Sequence, residues 1–411
     1  MRSLAEKDVV RPRVLRAADR TPAATRAQVE LGIRRVLLVL TGSVGGLTMV
    51  GLVMVLSASS VSAFAEYGSS FLFFKRQALY AAVGIVACLA VARTNYHVWQ
   101  KGWKPMLAVT IVLLALVLHP TTGTVAGGSA RWITVGPISL QPSEAAKLVI
   151  IMAVAAIIAG SMRYLDDPIV WAVPLLAVVG LVSILILLQP DFGTMMVLAL
   201  TVLLMLFVAG VRFRLLALGS AVFGGAGAGL IMFFGYRRTR FLAFLHPWSD
   251  PHSTGYQIIQ SLMALGSGHL VGVGLGASRQ KWMYVPNAHT DFIFAILGEE
   301  LGLIGEIVVL ALFGALLWAG IRIALRAPDT FGRLLAAGIT GWFALQALIN
   351  LGAVTGVLPI TGVPLPFVSY GGSSLVVSLA AAGILASIGR SATRVATVRP
   401  ASNGHGARSL P

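Results

Sequence analysis

Asp291 is the carboxylate in this sequence best placed to move a proton. It stands in the run NAHTDFIF, two residues after His289 and directly before a long apolar stretch, with Arg279 and Lys281 shortly upstream. A carboxylate at the rim of a water-accessible cavity, beside cations, suits general-base work on a hydroxyl. Two structural roles compete: capping of the helix that follows, or pairing with His289. The residues alone leave capping and catalysis level. His289 and Asp291 also offer two ligands to a divalent cation such as magnesium or manganese, which is a weak metal signal.

Other polar groups interrupt apolar sequence in four places. In GGSARWITVGPISLQPSEAAKL, Gly127 to Leu148, Arg131 and Trp132 combine a cation suited to phosphate with a ring suited to a sugar face. Pro142 fits the first position of a helix, with Gln141 or Ser143 as its cap. Glu144 and Lys147 are three apart and share one face of that helix's first turn. They form either a local ion pair or the lining of an outward cavity, because ionisable groups in a span are costly. In QPDFGT, Gln189 to Thr194, Asp191 is read as an N-cap. Glu299, Glu300 and Glu306 lie within the apolar run after Asp291 and need partners or water. Gly298 and Gly302 there have the small-xxx-small spacing of close helix packing. In GVLPITGVPLPFVSYGGSS, Gly356 to Ser374, prolines and glycines break a hydrophobic stretch, so irregular backbone must line a cavity or protein interior. Ser369 and Gly371–Gly372 either offer N–H groups to an anion or make a simple turn and cap. GVGLGAS lacks the strand, helix and spacing of a dinucleotide fingerprint.

These residues need elements to position them, and the composition says which. The 411 residues are 57% hydrophobic and 11% charged, whereas soluble domains carry about 25% charged residues. The apolar residues come in blocks of about 20, enough for a helix to cross a hydrocarbon core. Spans are expected near 35–57, 74–93, 103–119, 144–161, 168–188, 192–210, 213–235, 291–323, 331–355 and 369–389. The fold class is therefore an all-α polytopic membrane protein of about ten transmembrane helices. The 291–323 run is too long for one straight span and is expected to tilt, kink or extend. A large outer loop, 236–290, separates the seventh and eighth spans, and within it GYQIIQSLMALGSG predicts an interfacial or re-entrant helix. Residues 1–31 and 391–411 read as disordered basic tails flanking a membrane domain over 32–390. The first apolar stretch is a span rather than a cleavable signal, and the single Cys88 is read as packing.

The formal charge of +16 does not point to nucleic acid. Most Lys and Arg fall in the two tails and alternate short loops, which places both termini in the cytoplasm. Arg131, Lys147, Arg237, Arg238, Arg240, Arg279 and Lys281, with Lys75 and Arg76, fall on the outer side instead. An anionic ligand at the outer leaflet, such as a pyrophosphate, accounts for that set.

In order and spacing, RWITVG with QPSEAAK, QPDFGT, GYQIIQSLMALGSG, HTDFIFAILGEELG and LPITGVPLPFVSYGGSS resemble the SEDS family (shape, elongation, division and sporulation) over about residues 35–390. NAHTDFIFAILGEELG and LGASRQKW look more like its cell-division members than its elongation members. His269 stands where the family usually has glycine, and Asn287 where glutamate is common. The resemblance implies a peptidoglycan glycosyltransferase in the cytoplasmic membrane at the division septum. It would polymerise lipid II, a lipid-linked disaccharide-pentapeptide, into glycan strands. It places the family's catalytic aspartate on Asp291, as general base for an incoming sugar hydroxyl. Arg131, Trp132, Gln141, Glu144, Lys147, Arg240, Lys281, His289 and Ser369 are the candidates for holding substrate. A class B penicillin-binding protein is the implied partner transpeptidase, with the division proteins FtsQ, FtsL and FtsB as regulators. The rival readings are a lipid II flippase and a non-catalytic scaffold for the transpeptidase.

Overall fold

A computed structural model describes residues 23–119, 123–126, 129–136, 138–233, 235–282, 284–286 and 288–398. The helices are α1 (Ala23–Tyr67), α2 (Leu72–Arg93), α3 (His97–Leu118), α4 (Pro142–Gly160), α5 (Pro168–Leu188), α6 (Phe192–Ala209), α7 (Phe213–Phe233), α8 (Gly235–Leu245), α9 (Tyr256–Ser267), α10 (Ile293–Arg326), α11 (Thr330–Val354) and α12 (Gly372–Val398). Among the described residues nine are long and apolar enough to cross a membrane, and α7 adds a shorter apolar stretch, Phe213–Gly229. The ten anticipated positions are thus all helical. Several helix ends differ from the sequence reading, as where α1 runs on to Tyr67 and α3 begins at His97. Residues 23–31 and 391–398, read as tail, continue α1 and α12 as helix.

Local sequence sets where several helices begin. Pro142 and Pro168 open α4 and α5, where a missing N–H costs nothing. Asp167, Asp191 and Asp329 cap α5, α6 and α11 by accepting from Ile169, Thr194 and Gly332 main-chain N–H groups. The capping role read for Asp191 is the one it has.

The helices α4, α6, α11 and α12 are the most enclosed. They approach closely where side chains are small: a Cβ on Gly338 of α11 would lie 2.7 Å from both Ile151 of α4 and Met205 of α6. Outer helices turn apolar faces outward, as at Leu79, Val83 and Val86 of α2 and Leu176, Ile184 and Leu188 of α5. In a chain with these spans such faces are lipid-facing.

The all-α reading holds, and one small sheet accompanies the helices. Between α3 and α4 the chain forms a three-stranded antiparallel sheet, β1 (Gly123–Ala126), β2 (Ser129–Val135) and β3 (Ile138–Leu140). Ser-Ala-Arg-Trp-Ile-Thr-Val is rich in strand formers, and the turn at Gly136, with φ +60°, returns it as a hairpin. The large loop is not irregular either. It holds α8 and α9, and α9 coincides with the helix expected from GYQIIQSLMALGSG.

The long run after Asp291 is two helices joined at Gly302, whose φ of 64° and ψ of −167° belong to backbone that only glycine adopts readily. Segment 268–274 inserts at the break and exchanges hydrogen bonds with it. In a straight helix Leu303 and Ile304 would donate to Glu299 and Glu300. Here they donate to His269 O and Leu270 O (3.0 and 3.2 Å), while Val273 and Gly274 donate to Glu299 O and Glu300 O (2.9 and 3.0 Å). The N–H groups of Leu303 and Ile304 and the carbonyls of Glu299 and Glu300 thus all keep partners across the break. His269 has a left-handed φ of +49°, the backbone region that glycine adopts most readily.

Candidate active site

The site is built around the irregular segment 360–371, on which several helices converge. On α11, Trp342, Gln346 and Asn350 recur every four residues and share one face. Gln346 Nε2 donates to Pro364 O at 2.8 Å, and Asn350 Nδ2 donates to Val363 O at 2.8 Å. That same amide also donates to the main-chain carbonyl of Asp291 at 2.8 Å. Asp291 is thereby fixed between the start of α10 and segment 360–365. The N-cap position of α10 is Phe292, one residue later, so the position of Asp291 lies outside the cap. Gly362, at φ +72°, lies beside the carboxylate: a Cβ there would be in ordinary contact with Asp291 Oδ2, at 3.6 Å.

Glu144 and Lys147 meet α11 from the other side. Lys147 Nζ donates to Glu144 Oε1 at 2.9 Å and Gln346 Oε1 at 2.8 Å, and lies 5.0 Å from the Trp342 ring centre. Trp342 Nε1 donates to the same Gln346 oxygen. Both charged side chains are almost fully buried, and Glu144 Oε2 has no hydrogen-bond partner among the described residues. The structure therefore gives the pair its local ion pairing and, in addition, a tie to the helix that holds Asp291.

Arg131 turns inward from β2. It donates to Gln189 O and Pro190 O and lies 3.8 Å from Asp191. Its charge clasps the sheet to the turn between α5 and α6 instead of standing free for phosphate. Trp132, the next residue on β2, is half-buried opposite Thr124. Gln141 occupies the N-cap position of α4 without capping through its side chain. It donates to Ser143 Oγ, which donates to Asp191 Oδ2. Ser369 is buried and accepts from Leu365 N at 2.8 Å, the simple turn rather than an anion site. The Gly371 N–H is taken by Gln77 Oε1.

His289 lies in an aromatic cluster, stacked on Phe73 at 4.9 Å with Tyr370 at 5.5 Å. Burial pulls its pKa down to about 4 against a small opposing pull from Glu66. At neutral pH it supplies a ring and no charge. Burial pushes the Tyr370 phenol up, with Arg76 acting the other way.

Lys281 belongs to a separate network. Its Nζ pairs with Glu300 Oε1 at 3.2 Å and donates to Gly276 O at 2.5 Å. Ser57 of α1 donates to both Glu300 oxygens at 2.6 Å. Glu299 accepts from Ser278 Oγ and from the main-chain N–H groups of Arg279 and Gln280. The partners of both glutamates are thus supplied by the loop before Asp291 and by α1, which no spacing rule could have named. Arg240 sits on α8, and its side chain, like Asn287, lies outside the described residues. Trp342, Gln346 and Asn350 went unread in the sequence, although their four-residue spacing in an apolar span was a usable signal.

A sequence profile of the FtsW/RodA/SpoVE family, described as cell cycle protein, matches residues 38–394. Stage V sporulation protein E of Bacillus subtilis is 45% identical over 344 residues, covering 84% of this chain and 94% of that protein. The probable peptidoglycan glycosyltransferase FtsW of Geobacter metallireducens is 43% identical over 348 residues, covering 83% and 91%. Among solved structures, a chain from "Structural coordination of polymerization and crosslinking by a peptidoglycan synthase complex" superposes with a TM-score of 0.70 at 30% identity, covering 86% of this chain and 97% of that one. The rod shape determining protein RodA of Thermus thermophilus superposes with a TM-score of 0.62 at 29% identity, covering 85% and 95%. With the profile spanning nearly all of it and relatives matched along most of their own length, the chain belongs to the FtsW/RodA/SpoVE family, the SEDS proteins.

Proposed function

We propose that this protein is a peptidoglycan glycosyltransferase that polymerises lipid II at the outer face of the cytoplasmic membrane, at the septum during cell division. The observation that carries the reading is the placement of Asp291. Its main chain is clamped by Asn350, its carboxylate lies beside the backbone of Gly362, and its position is one residue before the N-cap. The names of the relatives support the reaction class, and the name FtsW supports the division role over elongation.

In the proposed reaction the donor is the growing strand on undecaprenyl pyrophosphate and the acceptor is the 4-hydroxyl of an incoming lipid II. Asp291 takes the hydroxyl proton as that oxygen bonds to the anomeric carbon. The bond from that carbon to the pyrophosphate oxygen breaks with inversion, and the leaving group keeps the electron pair. Its charge needs cations. Arg131, Lys147 and Lys281 are committed to protein partners, which favours the exposed Lys75, Arg238 and Arg279. The described residues form no cluster of three or more His, Cys, Asp or Glu able to hold a metal ion. A magnesium or manganese ion is therefore proposed as a companion of the pyrophosphate, and no step depends on it.

The partner proposed is a class B penicillin-binding protein, with FtsQ, FtsL and FtsB as regulators. One relative's structure is of a complex that couples polymerisation to crosslinking, which supports a transpeptidase partner. The break in α10 is the one feature that favours a lipid II flippase, because discontinuous helices are common in transporters. Proteoliposomes with lipid II in the inner leaflet separate the readings. Polymerisation of outer-leaflet lipid II without transfer between leaflets supports the glycosyltransferase; transfer without polymer supports the flippase.

A further inference from the structure

Residues 270–275 place four aliphatic side chains on the surface: Leu270, Val271, Val273 and Leu275, with Leu270 66% and Val271 73% exposed. Glycines separate them at 272 and 274, and no residue from 270 to 278 carries a charge. Such a cluster is costly to leave in water. It belongs to the large outer loop, and the reaction proposed above makes no use of it.

The level of this cluster in the membrane follows from the helix it inserts into. α10 runs antiparallel to α1: Glu300 meets Ser57, Leu312 lies against Gly46, and Arg326 lies near Gly32. Arg322 sits over the Trp318 ring and marks the inner interface, where cations and tryptophan collect. From Arg322 back to Leu303 the helix rises about 28 Å, close to the hydrocarbon thickness of about 30 Å. Gly302 therefore falls at the outer boundary of the hydrocarbon, and any tilt of α10 places it deeper. Segment 268–274 is bonded at that level through Val273 and Gly274 N–H and the His269 and Leu270 carbonyls. Just inside it, Leu303, Ile304, Ile307 and Val308 of α10 are exposed and apolar, so the cluster continues a lipid-facing surface across the break. Glu306, the acid in this stretch, is half-buried against Gly298. Aromatic residues of the kind that gather at headgroup level stand exposed at the same end: Trp282 and Tyr284, with Phe64 and Tyr67 at the end of α1.

We propose that segment 270–275 is an outer-leaflet anchor whose four aliphatic side chains dip among phospholipid acyl chains. Its backbone rests at the headgroup boundary, where water reaches the polar groups that α10 does not bond. Acyl chains are the occupant that fits, because the cluster is uncharged, continues the lipid-facing side of α10 and lies where that side ends. Through its bonds to Glu299 and Glu300, the anchor holds the half of α10 that begins after Asp291 at a fixed depth.

The test uses the full chain in nanodiscs of phosphatidylcholine and phosphatidylglycerol, with Cys88→Ser removing the one native cysteine. Val271→Cys and Leu275→Cys are spin-labelled singly, with Ile307→Cys as a lipid-facing reference and Ser253→Cys, in the polar run 249–254, as an aqueous one. All four positions are exposed, so the substitutions do not threaten folding. Electron paramagnetic resonance reads collision with oxygen, which concentrates in hydrocarbon, and with a nickel chelate, which stays in water. The expected oxygen-to-nickel ratio at 271 and 275 is at least about threefold above that at 253 and approaches that at 307, as hydrocarbon contact requires. A ratio equal to that at 253 overturns the proposal. So does low collision with both reagents, which means that protein covers the segment. The labels are read again with the partner transpeptidase bound. An unchanged ratio supports the lipid anchor, whereas loss of oxygen collision at 271 and 275 makes the surface a protein-docking site and overturns it. Depth is measured without substrate, so the anchor stands or falls apart from the proposed reaction.

Discussion

Asn350 joins the loop that carries Asp291 to the irregular segment 360–371: one side-chain amide donates to the carbonyls of Asp291 and Val363, each at 2.8 Å. Both acceptors are main-chain atoms, so the clamp fixes where the backbone of Asp291 sits without consuming its carboxylate. Asn350→Ala is expected to slow polymerisation by about a hundredfold, the scale of a misplacement near 1 Å. Loss of the buried bonds should lower stability by about 1–3 kcal/mol. Polymer rate and melting temperature on the same preparation check this, and an unchanged rate would remove Asn350 from the account.

The Lys281–Glu300 pair is nearly inaccessible to solvent, at 4% and 0% side-chain exposure. Lys281→Met strands a buried carboxylate and should cost about 3–5 kcal/mol. The double variant Lys281→Met, Glu300→Gln should recover much of that loss in a chemical denaturation series. If the single and double variants are equally unstable, Lys281 has another role, such as the phosphate contact first considered for it.

Gly302 is the residue at which the exchange between α10 and segment 268–274 turns. An added Cβ would meet the backbone of Leu270 and Gly272, and the dihedrals alone cost a non-glycine residue about 1–3 kcal/mol. Gly302→Ala should therefore release the inserted segment, read as faster proteolysis or hydrogen exchange over 268–274. Unchanged protection there would contradict the dependence of the inserted segment on Gly302.

His289 makes stability depend on pH. Its pKa of about 4 in the folded chain lies below the unfolded value of about 6.5. The unfolded chain therefore takes up a proton first as the pH falls. The contribution is complete above pH 6.5 and is lost between there and pH 4, about 2 kcal/mol after allowing for partial solvent contact. His289→Phe should flatten that limb of a melting-temperature profile. A profile as steep as the wild type's would assign the titration elsewhere.

Much of this organisation was legible because membrane spans and their interruptions are written in composition. Apolar blocks located the helices, alternating Lys and Arg predicted their direction, and α9 followed from its periodicity. What escaped was long-range pairing. Arg131 looked available for phosphate because its acceptors, the carbonyls of Gln189 and Pro190, lie some sixty residues away and carry no side-chain signature. Glu299 and Glu300 demanded partners, but the loop that satisfies them reaches them only because Gly302 breaks the helix. The small sheet was masked by the helical character of everything around it.

The central claim is that Asp291 accepts the proton of the attacking sugar hydroxyl. Its most direct test is the initial rate of glycan polymerisation from purified lipid II, with the partner transpeptidase present, for the wild type and Asp291→Asn. The substitution keeps size and removes the base, so polymer formation should fall by at least about 10²-fold, with folding and partner binding intact. Full polymer yield from Asp291→Asn would contradict the account.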